Sequence, residues 1–246
     1  MILKMPDQRP GFRGVPEAEF AAMSLASAMG IPTPGIDLVD ARTVVGLEDW
    51  SRDLPGKSFL IERYDRASDT RRVHAEEFAQ VLGISTKAID AKYLKANFET
   101  IANIVARLQG VDAVSEVIDR IVLNILIGNG DAHLKNWSFV YLDGKLPTLS
   151  PVYDVVPTVL YIPGDNLGLN LNGTKLFSEI TANSFERLGE RSGFGSAEAR
   201  ARAEHAVERA MDSWPLVGEL LPREQSKILT ERLESLPLVK SGNHRV

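Results

Sequence analysis

Apolar residues recur along this chain with two different periods. Between Val114 and Gly128 they fall at Val114, Val117, Ile118, Ile121, Val122, Ile125 and Leu126, the three-and-four spacing of a helix whose apolar face is too broad for a surface position. A buried helix is expected over about 113–128. The same period runs from Pro16 to Met29, where Phe20, Met23, Leu25, Ala26 and Met29 form the apolar face. Pro16 suits a first helical position and Gly30 a C-terminal stop, while Glu17 and Glu19 sit where a helix N-terminus favours anions. Further helices are expected over about 74–83 and 88–109, and from about Asn183 into an Ala-, Glu- and Arg-rich tail. The last ten residues read as frayed and mildly basic.

Shorter, β-branched, turn-bounded runs mark strands. Met1 to Met5 reads as a strand already under way, and Ile36–Val39, Thr43–Leu47 and Lys57–Tyr64 suggest a small antiparallel sheet. Asp143-Gly144, between Trp137–Leu142 and Lys145–Leu149, is a hairpin signal. Sheet first and helices second is the order of an α+β chain with segregated lobes. The expected division is a small antiparallel sheet lobe over 1–66 and a larger, all-helical lobe over 67–246.

Composition narrows the function classes. With 246 residues, 44% hydrophobic and 25% charged, the chain has the make-up of an ordinary globular protein. A net charge of −5 argues against a surface that coats nucleic acid. The absence of cysteine excludes a disulfide framework, a thiolate nucleophile and a Cys-ligated zinc site, and makes a reducing cytoplasm the default expectation. No apolar run approaches the roughly 20 residues of a membrane-spanning helix.

The densest set of metal- and proton-handling groups is Asp131 and Asn136, five apart in a polar loop, with Asp154 beyond the hairpin. In phosphoryl transfer to a hydroxyl, one carboxylate orients the attacking OH while a second carboxylate and an amide oxygen hold Mg²⁺ on the phosphates. An Asp-x4-Asn spacing alone mostly makes turns. Lys4 at a strand end and Glu19 in the next helix add the order of the lysine–glutamate pair that positions nucleotide phosphates in kinases.

Gly128-Asn129-Gly130-Asp131-Ala132-His133-Leu134-Lys135-Asn136-Trp137-Ser138, followed by Pro151-Val152-Tyr153-Asp154, resembles the signature pair of HipA-type toxin serine/threonine kinases. Ile2 to Pro6, Glu19, Leu60 to Arg66 and His74 to Gly83 extend the resemblance over essentially the whole chain. It implies a protein-kinase-like fold, ATP and Mg²⁺ as cofactors, Asp131 as catalytic base, and Asn136 and Asp154 as Mg²⁺ ligands. Lys4 would hold phosphates, Glu62 to Tyr64 would form the adenine hinge with Tyr64 against the base, and His133 would lie on the nucleotide side. Lys135 has the place of a residue that meets phosphate charge or solvent. Arg63, Asp65 and Arg66 read as a charged network behind the hinge, and His74 to Glu77 as a solvated helix start.

The resemblance also implies partners: a protein substrate, a translation factor such as an aminoacyl-tRNA synthetase among them, and a small DNA-binding antitoxin. No membrane and no direct nucleic-acid contact is expected. The family's N-terminal subdomain and serine-bearing phosphate loop have no counterpart in this sequence, and three explanations fit: a start codon placed too far downstream, a separately encoded N-terminal piece that would be a further partner, or a decayed paralogue. Two other readings stay open: a catalytically impaired remnant that binds nucleotide or antitoxin, and a Mg²⁺-dependent phosphodiesterase using Asp131, His133 and Asp154.

Overall fold

The structure is a computed structural model that describes all residues except 48, 50–53, 55, 68–70, 86–89 and 241–246. It opens with β1 (Ile2–Lys4), α1 (Val15–Ala28), β2 (Ile36–Val39) and β3 (Ser58–Ile61). The three strands form an antiparallel sheet in the order β1-β3-β2, with Lys4 opposite Phe59. Gly14 (φ 78°) and Gly30 (φ 77°) bracket α1 with left-handed turns that a side chain would strain. Within α1, Ala18, Ala21, Ala22, Met23, Leu25 and Ala26 are buried, and small side chains let the helix lie close on β2 and β3. Glu19 falls beyond the first turn and points inward, where it is buried.

A second antiparallel sheet, β4-β5-β6, joins His74–Glu77, Ser138–Tyr141 and Thr148–Leu149. The larger part of the chain is therefore mainly, not wholly, helical. Its helices are α2 (Phe78–Val81), α3 (Ala91–Leu94), α4 (Phe98–Leu108), α5 (Val114–Ile127), α6 (Glu186–Ser192), α7 (Ser196–Ser213), α8 (Pro215–Leu220), α9 (Arg223–Ser235) and α10 (Pro237–Lys240). The expected fraying of the last ten residues covers α10, which is helical, and 241–246, which lie outside the described residues.

Three element assignments change. Thr43–Leu47 is no strand: the Asp40 carboxylate accepts from the Arg42 amide, Ala41–Thr43 coil into a 3₁₀ turn, and Val45 is 93% exposed. His74–Glu77 is a strand, because Ala75 and Glu76 pair with Val140 and Phe139; tertiary pairing overrides a run of residues that favour helix. The expected helix over 88–109 begins in residues outside the description, then splits into α3 and α4 where Asn97 caps the second through the Thr100 amide.

The apolar core is continuous from Ala18 to Val239. At its centre lies α5, buried on all sides. Its inward polar side chains find partners: Asp119 with Arg202 and Arg209, Arg120 with Glu116 and the Ser150 carbonyl, Asn124 with Asn129, while Arg120 Nε stays without one among the described residues. Gly128 (φ 72°) ends α5, and a Cβ there would fall 2.5 Å from Val159. The chain thus leaves α5 at one fixed angle and enters the polar loop. No helix among the described residues is long and apolar enough to cross a membrane.

Candidate active site

Buried amides hold the loop that follows α5. The Asn129 side chain, 1% exposed, donates to Asn124 Oδ1 and accepts from the Asp131 amide, and the Asn129 amide donates to the Asn124 carbonyl. The Gly130 amide donates to Thr158 Oγ1 at 2.7 Å, and Asn136 Nδ2 donates to the Asp131 carbonyl at 2.8 Å. A loop tied by this many buried bonds in one arrangement has little freedom to rearrange.

Lys4 stands at the centre of the charges. Its Nζ lies 2.6 Å from Glu19 Oε1 and 2.5 Å from Asp154 Oδ1, so residues 4, 19 and 154 form one ion triad. Burial alone would lower the Lys4 pKa, but the two carboxylates outweigh it and hold the ammonium above its ordinary range. Burial pushes the Glu19 carboxyl up to about 7, against the pull of Lys4. Asp154 has φ 58°, a left-handed backbone that Asp tolerates better than most residues and that clusters at functional sites.

Asp154 borders three spaces. A cavity of about 280 Å³ is lined by Ile2, Lys4, Glu62, Tyr64, Tyr153 and Asp154. Tyr64 stacks on Tyr153 with ring centroids 5.3 Å apart, and Tyr153 is itself fixed by Ser138 and the Lys135 carbonyl. A larger cavity of about 640 Å³ holds Asp131 and Asp154 with Tyr93, Thr158, Tyr161 and Asp165. Asn136 and Asp154 line a third, small void of about 10 Å³.

The sequence-selected residues therefore gather around Asp154, with one displaced. Lys4, Glu62 and Tyr64 line the smaller cavity and Asp131 the larger. The Glu62 amide donates to the Gly35 carbonyl, leaving the Arg63 and Tyr64 amides without a partner among the described residues. Arg63 and Arg66 pair with Asp65 in a charged network beside the Glu62–Tyr64 segment. His133, 5% exposed, lines neither of the two larger cavities; its Nε2 lies 3.6 Å from Asp131 Oδ1, and burial lowers its pKa so that it is neutral near pH 7.

The donor set suits Mg²⁺. The Asn136 nitrogen is engaged, and among the described residues its carbonyl oxygen has no donor and Asp154 Oδ2 no protein partner. One carboxylate and one amide oxygen, completed by phosphates and water, is the sparse hard-oxygen set that Mg²⁺ takes. Among the described residues no group of three His, Cys, Asp or Glu forms a self-sufficient metal cage.

Residues 1–214 match the family of HipA-like C-terminal domains. The chain belongs to this family. A protein named "Putative kinase Y4dM" from Sinorhizobium fredii is 38% identical over 222 residues, covering 90% of this chain and 53% of that protein. The "Serine/threonine-protein kinase toxin HipA" of Shewanella oneidensis is 27% identical over 161 residues, covering 58% of this chain and 34% of that protein. The chain spans about half the length, or less, of these curated relatives. In solved structures, HipA from the Shewanella oneidensis MR-1 HipA, HipB and operator DNA complex superposes with a TM-score of 0.72 at 19% identity, over 99% of this chain and 60% of that one. The Helicobacter pylori proinflammatory kinase CtkA gives 0.56 at 14% identity, over 96% and 84%. At these identities the likeness is one of fold: α+β and protein-kinase-like.

Within this HipA-like domain, four contributors to the site escaped sequence reading. Asn129 stood inside the motif but looked like one more turn residue. Thr158 and Asp165 close over the loop from behind, with Thr158 Oγ1 donating to the Asp165 carboxylate. Tyr93, 38 residues upstream, donates its hydroxyl proton to Asp131 Oδ1. A lone tyrosine in a one-turn helix carries no periodic signal, so only the folded chain reveals it.

Proposed function

We propose that this chain is the catalytic part of an ATP- and Mg²⁺-dependent serine/threonine protein kinase of the HipA toxin type. The observation that carries the reading is the Lys4 triad. A cation and two carboxylates drawn from residues 4, 19 and 154 stand between an aromatic-walled cavity and the cavity that holds Asp131. A phosphodiesterase built on Asp131, His133 and Asp154 gives neither Lys4 nor the tyrosine pair a task.

In this reading residues 1–66 and 67–246 act as two lobes with the nucleotide between them. Tyr64, backed by Tyr153, packs against adenine, while the Arg63 and Tyr64 amides offer it backbone hydrogen bonds. Lys4, oriented by Glu19, meets phosphate oxygens. Asn136 and Asp154 hold Mg²⁺, which when bound neutralises charge developing on the phosphates. Asp131 accepts the proton of the substrate hydroxyl at Oδ2. Its carboxylate is half exposed and faces the larger cavity, which has room for a segment of protein substrate. The substrate class is a protein such as a translation factor, an aminoacyl-tRNA synthetase among them, and a small DNA-binding antitoxin is the expected restraint in the cytoplasm.

The test measures ATP binding by calorimetry with and without Mg²⁺, then transfer of labelled γ-phosphate to casein and to cell extract. Mg²⁺-dependent binding weakened at least 10-fold by Lys4→Met, with transfer reduced by about 10²- to 10⁴-fold to a measurable residue but binding kept in Asp131→Ala, is expected. Absence of nucleotide binding refutes the reading. Binding without transfer to any acceptor favours the catalytically impaired alternative.

A further inference from the structure

The two oxygens of the Asp131 carboxylate have different surroundings. Oδ1 accepts from the Tyr93 hydroxyl and lies 3.6 Å from His133 Nε2, whereas no described residue donates to Oδ2. An aspartate side chain turns easily about its last torsion, which is broad and roughly two-fold. Asp131 is half exposed, so packing does not fix it. A donor fixed on one oxygen does.

Tyr93 is well placed to be that donor. Its ring meets the buried His133 ring edge-on at 5.0 Å. Lys175 Nζ lies 5.8 Å from the ring centroid and donates to the carbonyls of Tyr93 and Gly168, at 3.2 and 2.9 Å. The Leu134 amide ties the adjoining Lys92 carbonyl at 3.3 Å. Ring and backbone are thus held by the loop that carries Asp131 and by the strand-like segment opposite it. Burial first, and then the bond to Asp131, push the phenol pKa well above its ordinary value, so the group remains a donor throughout the physiological range.

We infer that Tyr93 is a positioning residue for phosphoryl transfer: its hydroxyl pins Oδ1 of Asp131 so that Oδ2 is presented to the acceptor hydroxyl. The inference rests on the proposed role of Asp131 as base. The same contact admits an opposite meaning, in which the phenol occupies the acceptor's place and must leave before substrate enters. The two predict opposite kinetics. A positioning bond, when removed, lowers kcat with binding unchanged; a plug, when removed, raises kcat or lowers the acceptor KM.

The experiment compares parent protein, Tyr93→Phe, Asp131→Ala and the double variant, with Mg²⁺-ATP and casein as acceptor. Tyr93→Phe keeps the ring, and its kcat is expected to fall about 10- to 100-fold, with nucleotide Kd and casein KM within about twofold of the parent. In the Asp131→Ala background the same change should cost nothing further, because both act through one carboxylate. Lys175→Met, which loosens the ring's seat but keeps the phenol, should give a smaller fall. An unchanged or raised kcat in Tyr93→Phe, or a loss that persists fully in the double variant, overturns the inference while leaving Asp131 as base. Full activity retained by Asp131→Ala, or no casein labelling by a parent that binds ATP, removes the base itself and the inference with it.

Discussion

Gly168→Ala offers a sharp test of how tightly the loop is held. A Cβ at Gly168 would lie 2.9 Å from the Ala132 carbonyl carbon and 3.0 Å from its nitrogen and oxygen, where ordinary contact begins at 3.4 Å. All three are backbone atoms, so no side chain can swing away, and the two segments must part by about 0.4 to 0.5 Å. Ala132 follows Asp131 directly, and Gly168 also anchors Lys175 through its carbonyl. If about 1 Å of misplacement costs on the order of 10²-fold, half of that should lower kcat roughly 10-fold. Overpacking of this kind should cost about 1–3 kcal/mol of stability. Initial-rate phosphoryl transfer, nucleotide calorimetry and urea unfolding measured on one preparation separate the effects. The expected pattern is reduced kcat with unchanged ATP affinity. Full kcat despite a clear stability loss would show that Asp131 adjusts independently of its neighbour, and the argument from a rigid loop would fail.

Other outcomes are equally open to measurement. Glu19 has its carboxyl raised from 4.5 to about 7, so its protonated form favours the fold; that stabilisation is complete below about 4.5 and lost as pH rises to about 7. At about 1.4 kcal/mol per pH decade this is on the order of 3 kcal/mol, and the stability difference between parent and Glu19→Gln should decline across that window by urea titration. A difference that stays flat from pH 4.5 to 8 would contradict the burial argument. Asp119→Ala leaves Arg202 and Arg209 unpaired against α5 and should cost about 3 kcal/mol, whereas Arg200→Ala, in an exposed pair with Glu204, should change stability by less than about 1 kcal/mol in thermal unfolding.

What the sequence disclosed was whatever local chemistry determines. Periodicity located α1 and α5 to within a residue or two, because apolar faces and terminal glycines are written in order along the chain. Lys4, Glu19, Asp131, Asn136 and Asp154 were identified through the order of their motifs, and the fold brings them around one centre. Less legible was anything decided by a partner distant in sequence. His74–Glu77 becomes a strand because Ser138–Tyr141 lies beside it, and Thr43–Leu47 is diverted by the Asp40-capped turn at Ala41–Thr43. Tyr93 and Thr158 reach the loop from 38 and 28 residues away, distances at which spacing conveys no message.

The far end of the chain has a bearing on when the loop can work. Arg232, on α9, donates to the Leu126 carbonyl in the last turn of α5, just before the loop begins. Arg209, on α7, donates to the Met29 carbonyl at the end of α1, the helix that carries Glu19. Both ends of the charge triad's scaffold are therefore tied by residues made late. Leu126 and Arg232 are 106 positions apart, and at about 5–20 residues per second a ribosome needs roughly 5 to 20 s to pass from one to the other. Until Arg232 is made the Leu126 carbonyl lacks this donor, and until Arg209 is made the Met29 carbonyl lacks its own. The loop that carries Asp131 thus gains this distant support only once the residues at 209 and 232 have been made.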